Sequence, residues 1–217
     1  VIVGVFAALI FFFDKRSQKE NLPGLLLFLF FTTGYYLLSS IFNKTEVNTN
    51  NIYFAADSWS WLQRMAVEDG WYIGTRAVHP FAHILFRPIV WLLTPLTGGD
   101  RFQANLLLLA LAGGACIFLM WRIIKQISGD ESSAVLFASI LGLSASHLIF
   151  ASVIESYIFS TLCLLFFIWL TLNNRSTYLL AATSVVTLGI TVTNIAQQGL
   201  VALLAQRNLK RVTLLFS

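Results

Sequence analysis

Apolar residues run along this chain in long unbroken blocks, not in alternation. The blocks Gly24 to Phe42, Asn105 to Ile124, Ser133 to Phe150, Ile154 to Leu172 and Tyr178 to Thr191 carry almost no charge. At ~1.5 Å rise per residue, about 20 such residues cross the ~30 Å hydrocarbon core of a bilayer. Only helices and closed barrels satisfy their backbone inside lipid, and barrel strands alternate. The pattern therefore predicts an all-α polytopic membrane protein. Val1 to Phe13 is a further apolar run, ending at DKRSQKE, and reads as part of an N-terminal transmembrane helix. Near Thr191 to Asn194 the chain is expected to turn and descend to Arg207, Lys210 and Arg211.

One stretch breaks the pattern. Asn43 to Arg101 mixes acids, bases, histidines and tryptophans. Within it, Ala56 to Asp69 is amphipathic at 100° per residue. Trp59, Leu62 and Ala66 share one side, with Met65 at its edge, while Asp57, Trp61, Arg64 and Glu68 cluster on the other. Such a helix is expected to lie flat on the membrane, tryptophans at headgroup level and Asp57 facing water. Phe81 to Leu96 is apolar but contains His83, Arg87, Pro88 and Pro95. That composition suits a juxtamembrane or partly inserted helix better than a span.

Charge then sets the orientation. Lys15, Arg16, Lys19, Arg122, Lys125, Arg175, Arg207, Lys210 and Arg211 fall in short connections on one side. Lys44, Arg64, Arg76, Arg87 and Arg101 are spread through the long loop on the other. Basic residues concentrate on the cytoplasmic side, so the loop is expected outside. A full span over Phe81 to Leu96 would put Arg122 and Lys125 outside as well. Composition points the same way. The chain is 57% hydrophobic and 11% charged, against about 25% charged in a soluble domain. A net charge of +4 is then an orientation signal and does not call for nucleic acid. Cys116 and Cys163 lie in apolar runs with no CxxC or zinc spacing and read as packing residues. Asn43-Lys44-Thr45 fits a glycosylation sequon on the outer side.

The groups able to do chemistry cluster at that outer face. Asp57, a carboxylate at the water–lipid boundary, suits a general base acting on a hydroxyl. It equally suits an acid that stabilises a helix N-terminus. Glu155, in ASVIESYIF, is expected at the outer end of a transmembrane helix. It either faces a cavity or partner, or is an interfacial helix-start acid. His79 precedes Pro80 and is held extended. It could bind phosphate, ligate a metal, hold Asp57 or simply meet solvent. Arg64, Arg76, Arg87 and Arg101 suit bidentate phosphate binding or ordinary headgroup contact. Asn194, Gln197 and Gln198 either line a cavity or join helices.

The order of these features is distinctive. A helix rises from the cytoplasm and an acid follows in AADSWSWLQRM. Next come HPFAHILFRPIVWLLTPLTGGDRFQANLLLLAL, a descending span ending WRIIKQISGDESSA, an ascending span, and ESY at the head of the next. Over roughly Pro23 to Arg211 this resembles the GT-C superfamily of polytopic membrane glycosyltransferases, which includes protein O-mannosyltransferases and aminoarabinose transferases. The resemblance implies a GT-C-like transmembrane helix bundle over 24–211. Amphipathic juxtamembrane helices would lie in an extracytoplasmic loop over 43–102. Residues 1–13 would belong to a preceding helix and 212–217 would begin a further segment. It implies transfer of a sugar from a polyprenyl-phosphate donor to an acceptor hydroxyl. Asp57 would be the general base, His79 and Glu155 its companions, and Arg64, Arg76 and Arg87 the phosphate ligands. The resemblance fixes no cofactor, and a divalent metal is compatible with it. Partners would be the lipid-linked donor, membrane lipid and membrane proteins. The sequence departs from the pattern in lacking a second acid directly beside Asp57 and in having His79 where several members have lysine. The alternative is a non-catalytic membrane subunit or lipid-binding scaffold on the same fold. A transporter would need polar groups at mid-bilayer, which the spans from Asn105 to Leu172 largely lack.

Overall fold

A computed structural model describes residues 20–43, 57–74 and 79–206. The expectations for 1–13, for Arg76 and for 207–217 lie outside them. The described residues are helical, with no strand, and the order is simple. Helix α1 is Leu22–Phe42, α2 Ser58–Ala66, α3 Ala82–Leu93, α4 Arg101–Ser128, α5 Glu131–Leu143, α6 Ala145–Phe150, α7 Tyr157–Leu172, α8 Thr177–Ile190 and α9 Asn194–Gln206. Short 3-10 turns, Glu68–Ile73 and Thr94–Thr97, follow α2 and α3.

Local chemistry sets the boundaries. Pro23 enters α1 in its first turn, where a missing N–H costs nothing. Asp100 Oδ1 accepts from Phe102 N and Gln103 N at 2.8 and 3.2 Å and caps α4. Gly129 ends α4 at φ 71°, a left-handed conformation open to glycine. Asp130 Oδ2 then accepts from Ser133 N at 2.7 Å and starts α5, and these bonds hold the Asp130 carboxyl below its usual range. The predicted segment Ser133 to Phe150 is broken. Ser144 is extended (ψ 140°) and its Oγ caps α6 by accepting from His147 N.

The long helix α4 is the centre. Leu109, Ile117 and Trp121 on it are fully buried. Asn21 lies against Arg122 at one end of α1 and Tyr36 against Gln103 further along, so α1 and α4 are antiparallel. Cys116 meets Ile158 and Gln126 meets Leu172, so α7 runs parallel to α4. Close approach of α1 to α4 depends on Gly113 and Gly114. A Cβ on Gly114 would overlap Thr32 Oγ1 and come within 2.9 Å of the Phe28 carbonyl. The bundle thus has two distinct ends. One gathers Asn21, Arg122, Lys125 and Glu131, with Lys125 Nζ 2.7 Å from Glu131. The other gathers α2, α3 and the turn 151–156.

Two helices, α1 and α4, are long and apolar enough to cross a membrane. The other apolar helices are shorter than a straight span, α7 with 16 residues and α8 with 14. Along α1, Leu26, Phe30 and Leu37 are 58–70% exposed, a continuous apolar face that lipid would cover. Helix α3 is 12 residues long, about 18 Å, shorter than a straight span, and lies against α4.

Two expectations are corrected. Helix α2 is turned from its predicted orientation: Trp61 and Met65 are each 3% exposed whereas Trp59 is 56% exposed. Trp61 is therefore in the core, not at headgroup level. Asn43 is buried and its side chain is engaged in the fold, not presented on the surface. Its Nδ2 donates to Ser39 O and Ser152 O at 2.7 and 2.6 Å, and its Oδ1 accepts from Ile154 N at 3.2 Å. It ties the end of α1 to the turn before α7. Made in a glycosylating host, the protein is expected to carry no glycan at Asn43, as intact mass will show. Asn43→Ala is expected to lose about 2–3 kcal/mol, because it leaves buried backbone groups unpaired.

Candidate functional site

At the end of the bundle that gathers α2, α3 and the turn 151–156, several elements converge on one indole, that of Trp61. The turn 151–156 carries Glu155, 6% exposed. Its Oε1 accepts from Asp57 N at 2.5 Å, and its Oε2 accepts from Trp61 Nε1 at 3.1 Å and Ser156 N at 3.0 Å. Asp57 is the residue from which α2 springs, half-buried, and its carbonyl accepts from Trp61 N at 3.0 Å. Asp57 lies one turn before the inward-facing Trp61.

His79 arrives from the other side. Its Nδ1 lies 2.6 Å from Ile190 O, and Phe81 N donates to Gly189 O at 2.8 Å. These are last-turn carbonyls of α8, which have no partner within their own helix. The contact to a carbonyl calls for a proton on Nδ1. Trp61 packs edge-on against the His79 ring, centroids 5.5 Å apart, and Ser156 Oγ is 3.5 Å from Nδ1. Asp57, His79 and Glu155 are therefore neighbours through Trp61, although 98 residues separate the first from the last.

Beside Glu155 lies a narrow pocket walled by Trp61, Met65, Phe86, Leu109 and Phe159. Phe86 and Phe159 stack at 3.9 Å. Asn105 also lines the pocket, and its buried Nδ2 has no hydrogen-bond partner.

The arginines form a second group at the far end of α2. Arg64 Nε donates to Gly74 O at 3.1 Å and Nη1 to Ser60 O at 3.0 Å. Arg87, 2% exposed, donates from Nη1 to Arg64 O at 2.7 Å and from Nη2 to Glu68 O at 2.8 Å. Its guanidinium lies between Trp71 and Trp91, 5.3 and 4.9 Å from their centroids. Burial and Arg101 lower its pKa, against the raising effect of Asp69. Arg101 stacks on Trp91 at 3.8 Å and pairs with Glu68 at 3.2 Å.

His83 packs on Trp71 at 4.6 Å, away from His79, and both its ring nitrogens are buried without partners. Burial first, then Arg87 and Arg64, lower its pKa. The sign follows. The unfolded chain protonates His83 near ~6.5, while the folded chain keeps it neutral to lower pH. Stability contributed here is present above that value and falls as pH drops below it. Between pH 7 and 5, His83→Phe is expected to lose less thermal stability than the native chain, as melting curves at both pH values will show.

The structure thus brings Asp57, His79 and Glu155 together, and Arg64 and Arg87 together, in two clusters. Among the described residues no three His, Cys, Asp or Glu side chains group as a metal site. Asn194 joins α9 to α7, Nδ2 donating to Ser160 Oγ at 2.5 Å, whereas Gln198 is buried with both polar atoms unpartnered. Trp61, Ser156, Trp71 and Trp91 were not singled out in the sequence as parts of these clusters. The one local signal was the i, i+4 spacing of Asp57 and Trp61. No protein-family model, curated protein or solved structure matches the chain.

Proposed function

We propose that the protein is a polytopic membrane glycosyltransferase of GT-C type, moving a sugar from a polyprenyl-phosphate donor to an acceptor hydroxyl on the extracytoplasmic side. The observation that carries this reading is the convergence of Asp57, His79 and Glu155 on Trp61 at the outer end of the bundle. Asp57 and Glu155 match the family resemblance from distant parts of the sequence, and His79 stands where several members have lysine. Asp57 takes the acceptor proton as the hydroxyl attacks the anomeric carbon. The carbon–oxygen bond to phosphate breaks with inversion, and polyprenyl phosphate leaves. His79 orients Asp57 or the acceptor. Cations of the outer loop, Arg64, Arg76 and Arg87, offset the charge that develops on the leaving phosphate.

A second reading is favoured by one specific contact set. Arg87 gives both Nη groups to backbone carbonyls, so its direct role is to hold protein, not phosphate. A non-catalytic subunit or lipid-binding scaffold would need nothing more. The two are separated by incubating purified protein in nanodiscs with short-chain polyprenyl-phosphate sugars and following release of polyprenyl phosphate. Turnover of any one supports the transferase. Binding without release across the panel supports the scaffold.

A further inference from the structure

We infer that Glu155 and Trp61 are positioning residues, which together fix the first turn of α2 and so set Asp57 against His79. This rests on the transferase reading for what Asp57 and His79 do, but the clip itself is a matter of geometry. Glu155 belongs by resemblance with the reacting groups, yet its surroundings suit another task. Of the roughly four acceptor sites on a carboxylate, three are taken by N–H groups of the protein: Asp57 N, Trp61 Nε1 and Ser156 N. At 6% exposure it is largely closed off from bulk solvent.

What it holds is specific. One oxygen takes the backbone N–H of Asp57, at the mouth of α2, where a negative charge also favours the helix dipole. The other takes the indole of Trp61, one turn further along the same helix. That indole in turn abuts His79, whose Nδ1 is tied to Ile190 O. Position therefore passes from Glu155 to α2, through Trp61, to His79. A shift of about 1 Å in a reacting group costs on the order of 10²-fold in rate, so the clip should matter to turnover without taking part in it.

The test uses the full chain in nanodiscs, with a short-chain polyprenyl-phosphate sugar that the native protein turns over. Glu155→Gln replaces one acceptor oxygen by a donor facing N–H groups. It is expected to lower kcat about 10²-fold, to leave donor KM within about 2-fold, and to keep the shape of the pH profile. Trp61→Phe should lower kcat as well, and the double variant should be no worse than Glu155→Gln alone, because both cut one linkage. Hydrogen exchange supplies a reading that needs no donor. Amides of 57–62 should exchange at least about 10-fold faster in Glu155→Gln, with α4 unchanged. If Glu155→Gln does not fold, Glu155→Asp and Trp61→Phe serve in its place. Loss of one limb of the pH profile would make Glu155 a proton-transfer group and overturn the inference. So would unaltered exchange over 57–62. A native chain inactive on every donor, whose 57–62 amides still loosen in the variant, sinks the transferase and leaves the clip standing.

Discussion

Asp57→Asn is expected to lower polyprenyl-phosphate release by about 10³-fold, within the range for loss of a general base. The amide keeps the shape of the side chain and loses its ability to take a proton. The fold should survive for a reason visible in the contacts. The Asp57 backbone N–H donates to Glu155, a bond that asparagine keeps, and the side chain makes no capping bond to α2. Asparagine is as good a residue as aspartate at a helix start. The melting temperature is therefore expected to move by no more than about 2 °C. The plain structural role predicts the reverse pattern. If Asp57 only stabilises the helix dipole, removing its charge costs about 0.3–1 kcal/mol, and turnover by the folded fraction is unchanged. Measuring kcat and melting temperature on the same preparation decides between the two. Lost release with an unmoved melting curve supports the base, and retained release removes Asp57 from the reaction.

The positions of the helices were legible in the sequence because each depends on its own residues. Unbroken apolar runs marked α1, α4, α7 and α8, and the prolines and arginine of Phe81 to Leu96 kept α3 from being read as a span. The orientation of α2 was not legible. Trp59 and Trp61 are adjacent bulky indoles on opposite faces, and local periodicity has no basis for preferring either. The choice is made by Glu155, 94 residues from Trp61, which offers a buried acceptor for one indole N–H. The same holds for Asn43. Its sequon is local, but the Ser152 and Ile154 backbone groups that bury it lie more than a hundred residues away. The break at Ser144 was missed because serine in an apolar run is compatible with a helix, and only its capping bond to His147 N reveals the new start.

Arg87→Ala is expected to be the most destabilising single change at the outer end, by about 3 kcal/mol. Two charge-assisted hydrogen bonds are each worth about 1.5–3 kcal/mol, and the contacts with two indoles add about 0.5–1 kcal/mol each, part of which is offset by no longer burying the charge. A buried guanidinium with no carboxylate ion pair among the described residues calls for another source of negative potential. The C-terminus of α2 supplies it. Arg64 lies in the last turn of α2 and Glu68 just beyond, so the carbonyls that Arg87 holds are at the negative end of the helix. For a chain of this size the loss corresponds to about 6–12 °C in melting temperature. Arg87→Lys should recover less than half, because one ammonium neither reaches both carbonyls in a fork nor stacks between Trp71 and Trp91. Gly70→Ala provides the control for packing. A Cβ there would overlap Arg87 Nη1 and come within 2.7 Å of the Gln63 carbonyl, so it should loosen the same clamp with the charge intact. Salt separates this role from phosphate binding. The clamp is buried and should be nearly indifferent to ionic strength, whereas a surface cation holding phosphate is screened within a Debye length of ~8 Å at physiological salt. If Arg87→Ala leaves the melting temperature in place while weakening donor binding in a salt-dependent way, Arg87 is a phosphate ligand after all. The clamp would then have to come from the tryptophans alone.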